Sequence, residues 1–346
     1  MKKIFFVADA QQIHTAKWVD YFLDNGYEVH LATFTKNRTK AKNVYCLSEN
    51  EKDLKGGNFY YFLHIKDLAN ILKEVKPDII NAHFSYSLGF ITLLALKIAK
   101  IDTEFSIVCH GSDVLKPPMP QISQYINKYV LHNSDKIFAV SSQIRDKIES
   151  FGVDLNSVFL GQYGISVEAK EVEKDIDLIS NRTYEPNSQI ELMLDYLQEL
   201  NDLNLKIVFV LPDIKDHEYD TLVKNYPNVE FYKPMPYKEL ISLVNRSKIY
   251  ISATKSDGLS LSLLEAMQLR CVPIVSDIVS NRSVILDGIN GFLFYNKNQF
   301  LEKIKHSLEN YEIISNKFYY INKYFLDEHG NYQKQMKKIE EFLINS

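Results

Sequence analysis

The sequence predicts an α/β protein of two successive domains, each with a parallel sheet covered by helices on both faces. Its 346 residues suit two domains of ordinary size. Short runs rich in β-branched and aromatic residues alternate with longer amphipathic segments along the chain. These short runs are apolar almost throughout, which is typical of strands buried on both faces. The hydrophobic fraction of 46% and the charged fraction of 24% exclude a disordered chain.

The first half of the chain predicts alternating strands and helices. In the first helix, Trp18, Val19 and Phe22 share one face, as a helix that packs on a sheet requires. The predicted strands are Lys3–Val7, Val29–Phe34, Asp78–Phe84, Phe105–Cys109 and Lys136–Val140. The predicted helices are Thr15–Asn25, Lys66–Lys76, Leu88–Ala99, Ile122–His132 and Ser142–Ser150.

The run Ile79–Leu96 contains 18 residues without Asp, Glu, Lys or Arg and therefore needs to be compared with a membrane span. A transmembrane helix needs about 20 predominantly apolar residues. This run contains Asn81 and His83, and a Ser-Tyr-Ser break interrupts it. We therefore predict a buried strand, a loop and a helix here.

The second half repeats the alternation after a charged stretch, Val167–Lys174, which we interpret as the linker between domains. We assign residues 1–166 to an N-terminal domain, 175–315 to a C-terminal domain and 316–346 to C-terminal helices. The predicted strands are Asp177–Ser180, Lys206–Leu211, Val229–Tyr232, Lys248–Ala253 and Val272–Val275. The predicted helices are Gln189–Leu200, Tyr219–Asn225, Lys238–Asn245, Leu261–Leu269 and Asn298–Leu308. Two Rossmann-like domains in tandem would bind ligands at the carboxyl ends of their strands.

Charge and cysteine content exclude further classes of protein. A net charge of −4 argues against nucleic acid as a partner, because proteins that track phosphates carry a basic excess. The three cysteines are odd in number and far apart, which argues against a disulfide framework and favours a reducing cytoplasm. The opening MKKIFFVADA has an apolar stretch too short for a signal peptide, and Asp9 interrupts it.

The segment Ser252–Leu269 has the residue pattern of an anion site. A strand ends, a polar turn follows, and a helix begins near Leu259, with Ser256 or Asp257 as its cap. Amides at the start of a helix lack intrahelical acceptors and lie at the positive end of the helix dipole, which suits phosphate. The expected amides are those of Gly258, Leu259 and Ser260.

Two carboxylates accompany this turn. Asp257 and Glu265 are eight residues apart, a little over two helical turns, so both can point to the same side. Glu265 stands in an apolar run, where a carboxylate lies either on a thin solvent face or in a functional position. Taken alone, the residues favour the simpler interpretation of a capping aspartate and a surface glutamate.

The run SDGLSLSLLEAMQLRCVPIVSD, followed by DGINGFLF, closely resembles the C-terminal signature of the family 4 glycosyltransferases, which have the two-domain GT-B fold. In that family two glutamates separated by seven residues occupy the positions of Asp257 and Glu265. The resemblance implies that Asp257 lies near the donor sugar hydroxyls and that Glu265 accepts hydrogen bonds from the ribose. It also implies that the intervening backbone holds the diphosphate. Asp257 is one methylene shorter than the usual glutamate.

Other segments extend the resemblance. VCHGSDVL resembles the central histidine motif, which implies that His110 lies in the cleft beside the donor. NRTYEPNSQIE resembles the start of the second domain, where Arg182 would neutralise the diphosphate. HTAKWVDYFLDNGYEVHLAT resembles the first helix and second strand. Two family features are absent. The usual lysine is missing, and the nearby positions are Pro186, Asn187 and Ser188. The usual Gly-Gly turn is also missing, and Ala10, Gln11 and Gln12 stand in its place.

The resemblance implies a cytoplasmic, retaining, metal-independent enzyme, working at or near the inner face of the membrane. It would move a hexose-type sugar from a UDP- or GDP-sugar to a glycan or lipid-linked acceptor in bacterial surface polysaccharide synthesis. The N-terminal domain would lie on the acceptor side, the C-terminal domain would bind the sugar nucleotide, and the last helix would return to the N-terminal domain. No cofactor, metal ion or enzyme nucleophile is expected. An aromatic-basic patch at Tyr125, Lys128 and Tyr129 is a candidate for peripheral membrane contact.

Three further residues are acceptor-side candidates: His14, His83 and Asp113. Each has a structural alternative: His14 could close the first loop, His83 could be a structural strand-end residue, and Asp113 could cap a turn. His110 could likewise be a core histidine bonded to a carbonyl.

Two other functions stay open: a catalytically silent sugar-nucleotide-binding subunit and a GT-B-fold sugar-nucleotide epimerase. A dehydrogenase is disfavoured, because no G-x-G-x-x-G follows a predicted strand.

Overall fold

The computed structural model describes residues 2–48, 59–115 and 120–345. The chain divides into two compact units, the first made of Met1–Tyr163 with Gln333–Ser346 and the second of Gly164–Tyr332. The predicted linker Val167–Lys174 lies in the second unit and contains neither helix nor strand.

The first unit contains a seven-stranded, all-parallel sheet in the order β3-β2-β1-β4-β5-β6-β7. Phe5, Ile80 and Ile107 have no exposed surface, as expected for strands covered on both faces. The strands are β1 (Lys3–Val7), β2 (Glu28–Thr33), β3 (Asn43–Cys46), β4 (Ile79–His83), β5 (Glu104–Cys109), β6 (Lys136–Ala139) and β7 (Val158–Leu160). The helices are α1 (Ile13–Asp24), α2 (Ile65–Val75), α3 (Phe90–Ala99), α4 (Pro120–His132) and α5 (Ser142–Glu149).

The uncharged run that begins at Ile79 forms strand β4, a single π-helical turn at Ser85–Gly89 and helix α3. A strand, a loop and a helix were predicted here, and the structure confirms this division. Within the described residues, no helix is both long enough and apolar enough to cross a membrane.

The second unit contains a six-stranded parallel sheet in the order β10-β9-β8-β11-β12-β13. The strands are β8 (Ile176–Asn181), β9 (Ile207–Val210), β10 (Val229–Tyr232), β11 (Ser247–Ser252), β12 (Val272–Ser276) and β13 (Phe292–Phe294). The helices are α6 (Ile190–Leu197), α7 (Asp216–Asn225), α8 (Tyr237–Asn245), α9 (Leu261–Gln268), α10 (Val279–Arg282), α11 (Lys297–Glu309) and α12 (Tyr311–His329).

The last helix, α13 (Tyr332–Ile344), belongs to the first unit, as predicted. Glu340 accepts hydrogen bonds at 2.7 Å from the phenols of Tyr21 and Tyr27. Leu343 is fully buried, and its carbonyl accepts from Nζ of Lys136 at 2.9 Å. Helix α12 stays in the second unit, so the predicted C-terminal segment 316–346 is shared between the units.

Candidate functional site

The loop between β11 and α9 ends in a capped helix start in the second unit. Ser260 is the N-cap, and its hydroxyl accepts a hydrogen bond from the amide of Leu263 at 3.3 Å. The expectation that the helix begins near Leu259 with Ser256 or Asp257 as its cap is therefore wrong. Ser260 has the extended backbone of a cap residue, whereas the carboxylate of Asp257 is engaged by an arginine.

This shift moves the anion-binding amides. The amide of Gly258 already donates to Oδ1 of its neighbour Asp257 at 2.8 Å. Leu259 and Ser260 precede the helix rather than opening it. The first-turn amides that lack an intrahelical acceptor by geometry are those of Leu261 and Ser262. An anion at this helix start would therefore contact amides that lie slightly later in the chain than those the sequence predicted.

Arg182 joins the end of β8 to this helix start. Its Nη2 donates to Oδ2 of Asp257 at 2.7 Å, and its Nη1 donates to Oγ of Ser260 at 2.8 Å. Both ionic side chains are largely covered, with 15% of Arg182 and 23% of Asp257 exposed. Burial alone would lower the pKa of Arg182, but interactions with Tyr250 and Asp257 reverse this effect and raise it. The guanidinium is thus permanently charged and fixed beside the start of α9.

Asn187 holds this loop in place from the neighbouring strand-end segment. Its side-chain amide donates to the carbonyl of Ser256 at 2.8 Å, and its own carbonyl accepts from the amide of Lys255 at 2.9 Å. From the sequence, Asn187 was named only as one of the residues near the position of the missing lysine, and no role was predicted for it. Its partners are about 70 residues away in the chain, so no local pattern could have indicated its role.

Glu265 lies on α9, half-buried between the fully buried side chains of Leu264 and Ala266. Its Oε1 accepts a short hydrogen bond from the phenol of Tyr237 at the start of α8. This carboxylate is therefore held in one orientation rather than free on a solvent face. Sequence reasoning missed Tyr237, because the pairing joins two separate helices.

In the first unit three histidines come together: His14 of α1, His83 at the end of β4 and His110 just after β5. The ring of His110 lies 4.5 Å from that of His14 and 5.1 Å from that of His83. Nε2 of His110 is 3.1 Å from Nδ1 of His83. Burial lowers the pKa of His14 to about 4 and that of His83 to about 3, and it also lowers the pKa of His110. All three rings are uncharged at neutral pH.

Asp113 ties together the loops that carry these histidines. Its Oδ1 accepts from the amides of His110 at 3.1 Å and Gly111 at 2.9 Å, and its Oδ2 accepts from the amide of Ser85 at 2.9 Å. Burial raises the pKa of this carboxyl group, and the N–H donors oppose that rise. The hydrogen bonds are those of a loop-capping carboxylate. Asn127 joins the network by accepting from Oγ of Ser85 at 2.7 Å, a contact that sequence reasoning missed.

The backbone at this histidine cluster is unusual. Phe84 has φ of +71° and Gly111 has φ of +123°. A single π-helical turn follows at Ser85–Gly89, and the ring of Phe84 lies 4.6 Å from that of His110. Strained residues and π-helical turns of this kind concentrate at functional sites. The predicted site residues thus form two groups, the histidines and Asp113 in the first unit and the residues around Arg182 in the second.

Comparison with known proteins agrees with this division. Residues 3–141 match the family model described as glycosyl transferase 4-like, and residues 165–324 match the model described as glycosyl transferases group 1. An uncharacterised glycosyltransferase of Methanocaldococcus jannaschii, MJ1178, is 24% identical over 293 residues, which cover 83% of this chain and 81% of the relative.

Solved structures share the fold at low sequence identity. HepE of Anabaena, crystallised with UDP, has a TM-score of 0.81 at 12% identity and covers 99% of each chain. WaaG, a glycosyltransferase involved in lipopolysaccharide biosynthesis, has a TM-score of 0.77 at 12% identity and covers 99% of this chain and 100% of its own. With two parallel-sheet domains and both family models matched, the chain is a glycosyltransferase of the family 4 type with the GT-B fold.

Proposed function

We propose that the chain transfers a hexose-type sugar, with retention of anomeric configuration, from a UDP- or GDP-sugar to a glycan or lipid-linked acceptor. In the proposed reaction the bond between sugar C1 and the diphosphate oxygen breaks, and its electron pair leaves with the diphosphate. The acceptor oxygen bonds to C1 on the same face, and its proton passes to the departing phosphate oxygen. Positive charge develops on the sugar and negative charge on the diphosphate.

One observation carries the donor assignment: the buried guanidinium of Arg182 is fixed beside the amides that open α9. A fixed cation and a helix N-terminus together stabilise a departing diphosphate electrostatically. These groups supply the charge that a divalent ion supplies in other enzymes, which is why we propose metal independence. HepE, which has this fold, was crystallised with UDP and with UDP-glucose, and this favours a uridine donor.

The test is binding and turnover with a panel of UDP- and GDP-sugars, followed by NMR of the anomeric proton of the product. Arg182→Gln should weaken UDP binding about 10- to 100-fold, since hydrogen bonds to charged groups contribute about 1.5–3 kcal/mol. The matched control is Arg246→Gln. Arg246 pairs with Asp175 at the amino ends of the same strands, β8 and β11, and this variant should bind UDP normally.

Each result bears on a separate part of the proposal. Equal UDP affinity of the Arg182 variant and the wild type would contradict the donor site. An inverted product would contradict retention, and loss of turnover in EDTA that Mg²⁺ restores would contradict metal independence. Binding of donors with neither transfer nor hydrolysis would instead identify a catalytically silent sugar-nucleotide-binding subunit.

We further propose that the acceptor is reached at an anionic membrane surface, through an aromatic-basic patch of the first unit. Phe90 contacts both Phe62 and Tyr129 edge to face, at 5.7 and 6.2 Å between ring centroids. Tyr125, one turn away on α4, is 80% exposed, and Lys128 beside it is also exposed. Aromatic rings and lysines in this arrangement suit the interface of an anionic bilayer.

Sedimentation with anionic liposomes at low and high salt tests this surface. The wild type should bind at low salt and dissociate at high salt, because the lysine contribution is screened. Tyr125→Ser should weaken binding, whereas Tyr324→Ser, which changes a tyrosine of α12 that is 78% exposed, should not. No sedimentation of the wild type at low salt would discard the membrane contact. A role in surface polysaccharide synthesis would then depend on a soluble glycan acceptor.

A further inference from the structure

His83 is the most deeply buried member of the histidine cluster. Its side chain has no exposed surface, and its ring meets the ring of Trp18 at 5.4 Å and that of Phe6 at 6.4 Å, in both cases edge to face. Its Nδ1 lies 3.1 Å from Nε2 of His110. Its Nε2 is buried and has no hydrogen-bond partner within the described residues. His83 therefore uses one ring nitrogen for His110 and keeps the other in an aromatic environment.

The proton count of this pair allows two arrangements. Both rings are neutral, so each carries one N–H. In the first arrangement Nδ1–H of His83 donates to Nε2 of His110, and only a lone pair on Nε2 of His83 stays unsatisfied. In the second arrangement His110 donates, and His83 buries an N–H that has no acceptor. Buried N–H groups without acceptors are rarer than buried acceptors without donors, which favours the first arrangement.

The first arrangement has a consequence for His110. When its Nε2 accepts from His83, its hydrogen must lie on Nδ1, and the ring becomes a fixed N–H donor. His110 is only partly buried, in contrast to His83, so this donor can reach a ligand. The ring of His14 packs against His110 at 4.5 Å, and Asp113 accepts from the His110 amide at 3.1 Å. The His14 contact restricts the imidazole ring, and the Asp113 contact fixes the backbone that carries it.

We propose that His83 is a positioning residue that sets the tautomer of His110, so that His110 presents an Nδ1–H donor to an oxygen of a substrate bound at the first unit. The identity of the substrate that accepts this hydrogen bond rests on the proposed function. The tautomer of His110 itself does not depend on any substrate. His110 in this state donates a hydrogen bond throughout the reaction. It does not act as a general base through Nε2, because that lone pair is occupied.

The direct test is NMR of the full-length protein labelled with ¹⁵N-histidine, which identifies the protonated ring nitrogen of His110. We expect Nδ1 to be protonated in the wild type. In His83→Asn the side-chain amide can replace the Nδ1–H donor, so the His110 tautomer should be kept and kcat should change less than about 3-fold. In His83→Leu the donor is lost. His110 should then carry its hydrogen on Nε2 in most molecules, and kcat should fall about tenfold, in proportion to the remaining Nδ1–H fraction, while KM changes less.

Several results would overturn the proposal. One is a wild-type His110 protonated on Nε2. Another is a His83→Leu variant with an unchanged tautomer and unchanged kcat, and a third is an asparagine variant as impaired as the leucine variant. Fluorescence of Trp18, the only tryptophan in the chain, checks that each variant folds around the cluster. If no sugar nucleotide binds at all, the proposed function fails, but the NMR result still decides the tautomer.

Discussion

The uncharged histidines predict that the first unit loses stability on acidification from pH 7 to pH 5. His83 has a folded pKa of about 3 and His14 a folded pKa of about 4, both below the ordinary value of 6.5. At a pH between the folded pKa and the ordinary value of 6.5, these histidines bind protons in the unfolded chain but not in the folded chain. The free energy of unfolding therefore falls as the pH drops below 6.5.

The size of this effect follows from the two pKa values. At pH 5 an unfolded histidine is almost fully protonated, whereas folded His83 is not. This difference lowers the free energy of unfolding by about 2 kcal/mol relative to pH 7. His14 contributes a similar cost of about 2 kcal/mol, and Asp9 limits it by favouring the charged ring. Asp113 acts in the opposite direction, because burial raises its pKa and acid then favours the folded state.

Urea unfolding followed by the fluorescence of Trp18 measures this effect in the first unit alone, because this single tryptophan packs against His83. His83→Asn should remove about 2 kcal/mol of the pH dependence between pH 7 and pH 5. The difference between the two proteins cancels the contribution of Asp113. His217→Asn, which changes an exposed histidine of α7, should leave the pH dependence as it is.

Identical slopes of stability against pH in the wild type and the His83→Asn variant would refute the reasoning. The absolute stability of the variant is not the criterion, since the substitution also changes packing beside Trp18.

Three further predictions concern the second unit. Glu265→Ala should weaken UDP binding about 10- to 100-fold and abolish discrimination between UDP and its 2′,3′-dideoxy analogue in calorimetry, since the proposed contacts of Glu265 with the ribose hydroxyls would account for that preference. Glu302→Ala, which changes an exposed glutamate of α11, is the control and should keep both properties, and kept discrimination in the Glu265 variant would contradict the ribose contact. Asp257→Asn should tighten UDP binding about tenfold by freeing Arg182 from its counter-ion, while slowing transfer. Weaker UDP binding would show that the carboxylate orients the arginine instead. Asn187→Ala should speed amide hydrogen exchange in the loop before α9 by losing the 2.8 Å bond to that loop, and unchanged exchange would contradict its role.

The sequence predicted the central strands of both sheets because buried parallel strands are apolar on both faces. It missed the edge strands β3, β7 and β13, each only three or four residues long. Residues of β3 and β7 are partly or fully exposed, so their pattern is not continuously apolar. Such strands form because a neighbouring strand offers backbone partners, which is information from outside the segment.

Candidate site residues could be named from the sequence where a short motif contains them. Arg182, Glu265 and His110 follow from local residue patterns together with the family resemblance, and the structure gives each a specific hydrogen-bond partner. The cap position could not be predicted, because the engagement of Asp257 by Arg182 decides it from 75 residues away. Side chains that orient the site residues through long-range contacts were invisible to sequence patterns for the same reason, among them Asn127, Asn187 and Tyr237.

Helix α13 also bears on how the protein emerges from the ribosome. The second unit is one continuous stretch, Gly164–Tyr332, whereas the first unit needs residues from both ends of the chain. Until Glu340 has been synthesised, the phenols of Tyr21 and Tyr27 lack their shared acceptor, and the site that Leu343 fills stays empty. The unit that is translated first is therefore completed last, and a nascent chain exposes this unfinished surface until α13 has been synthesised.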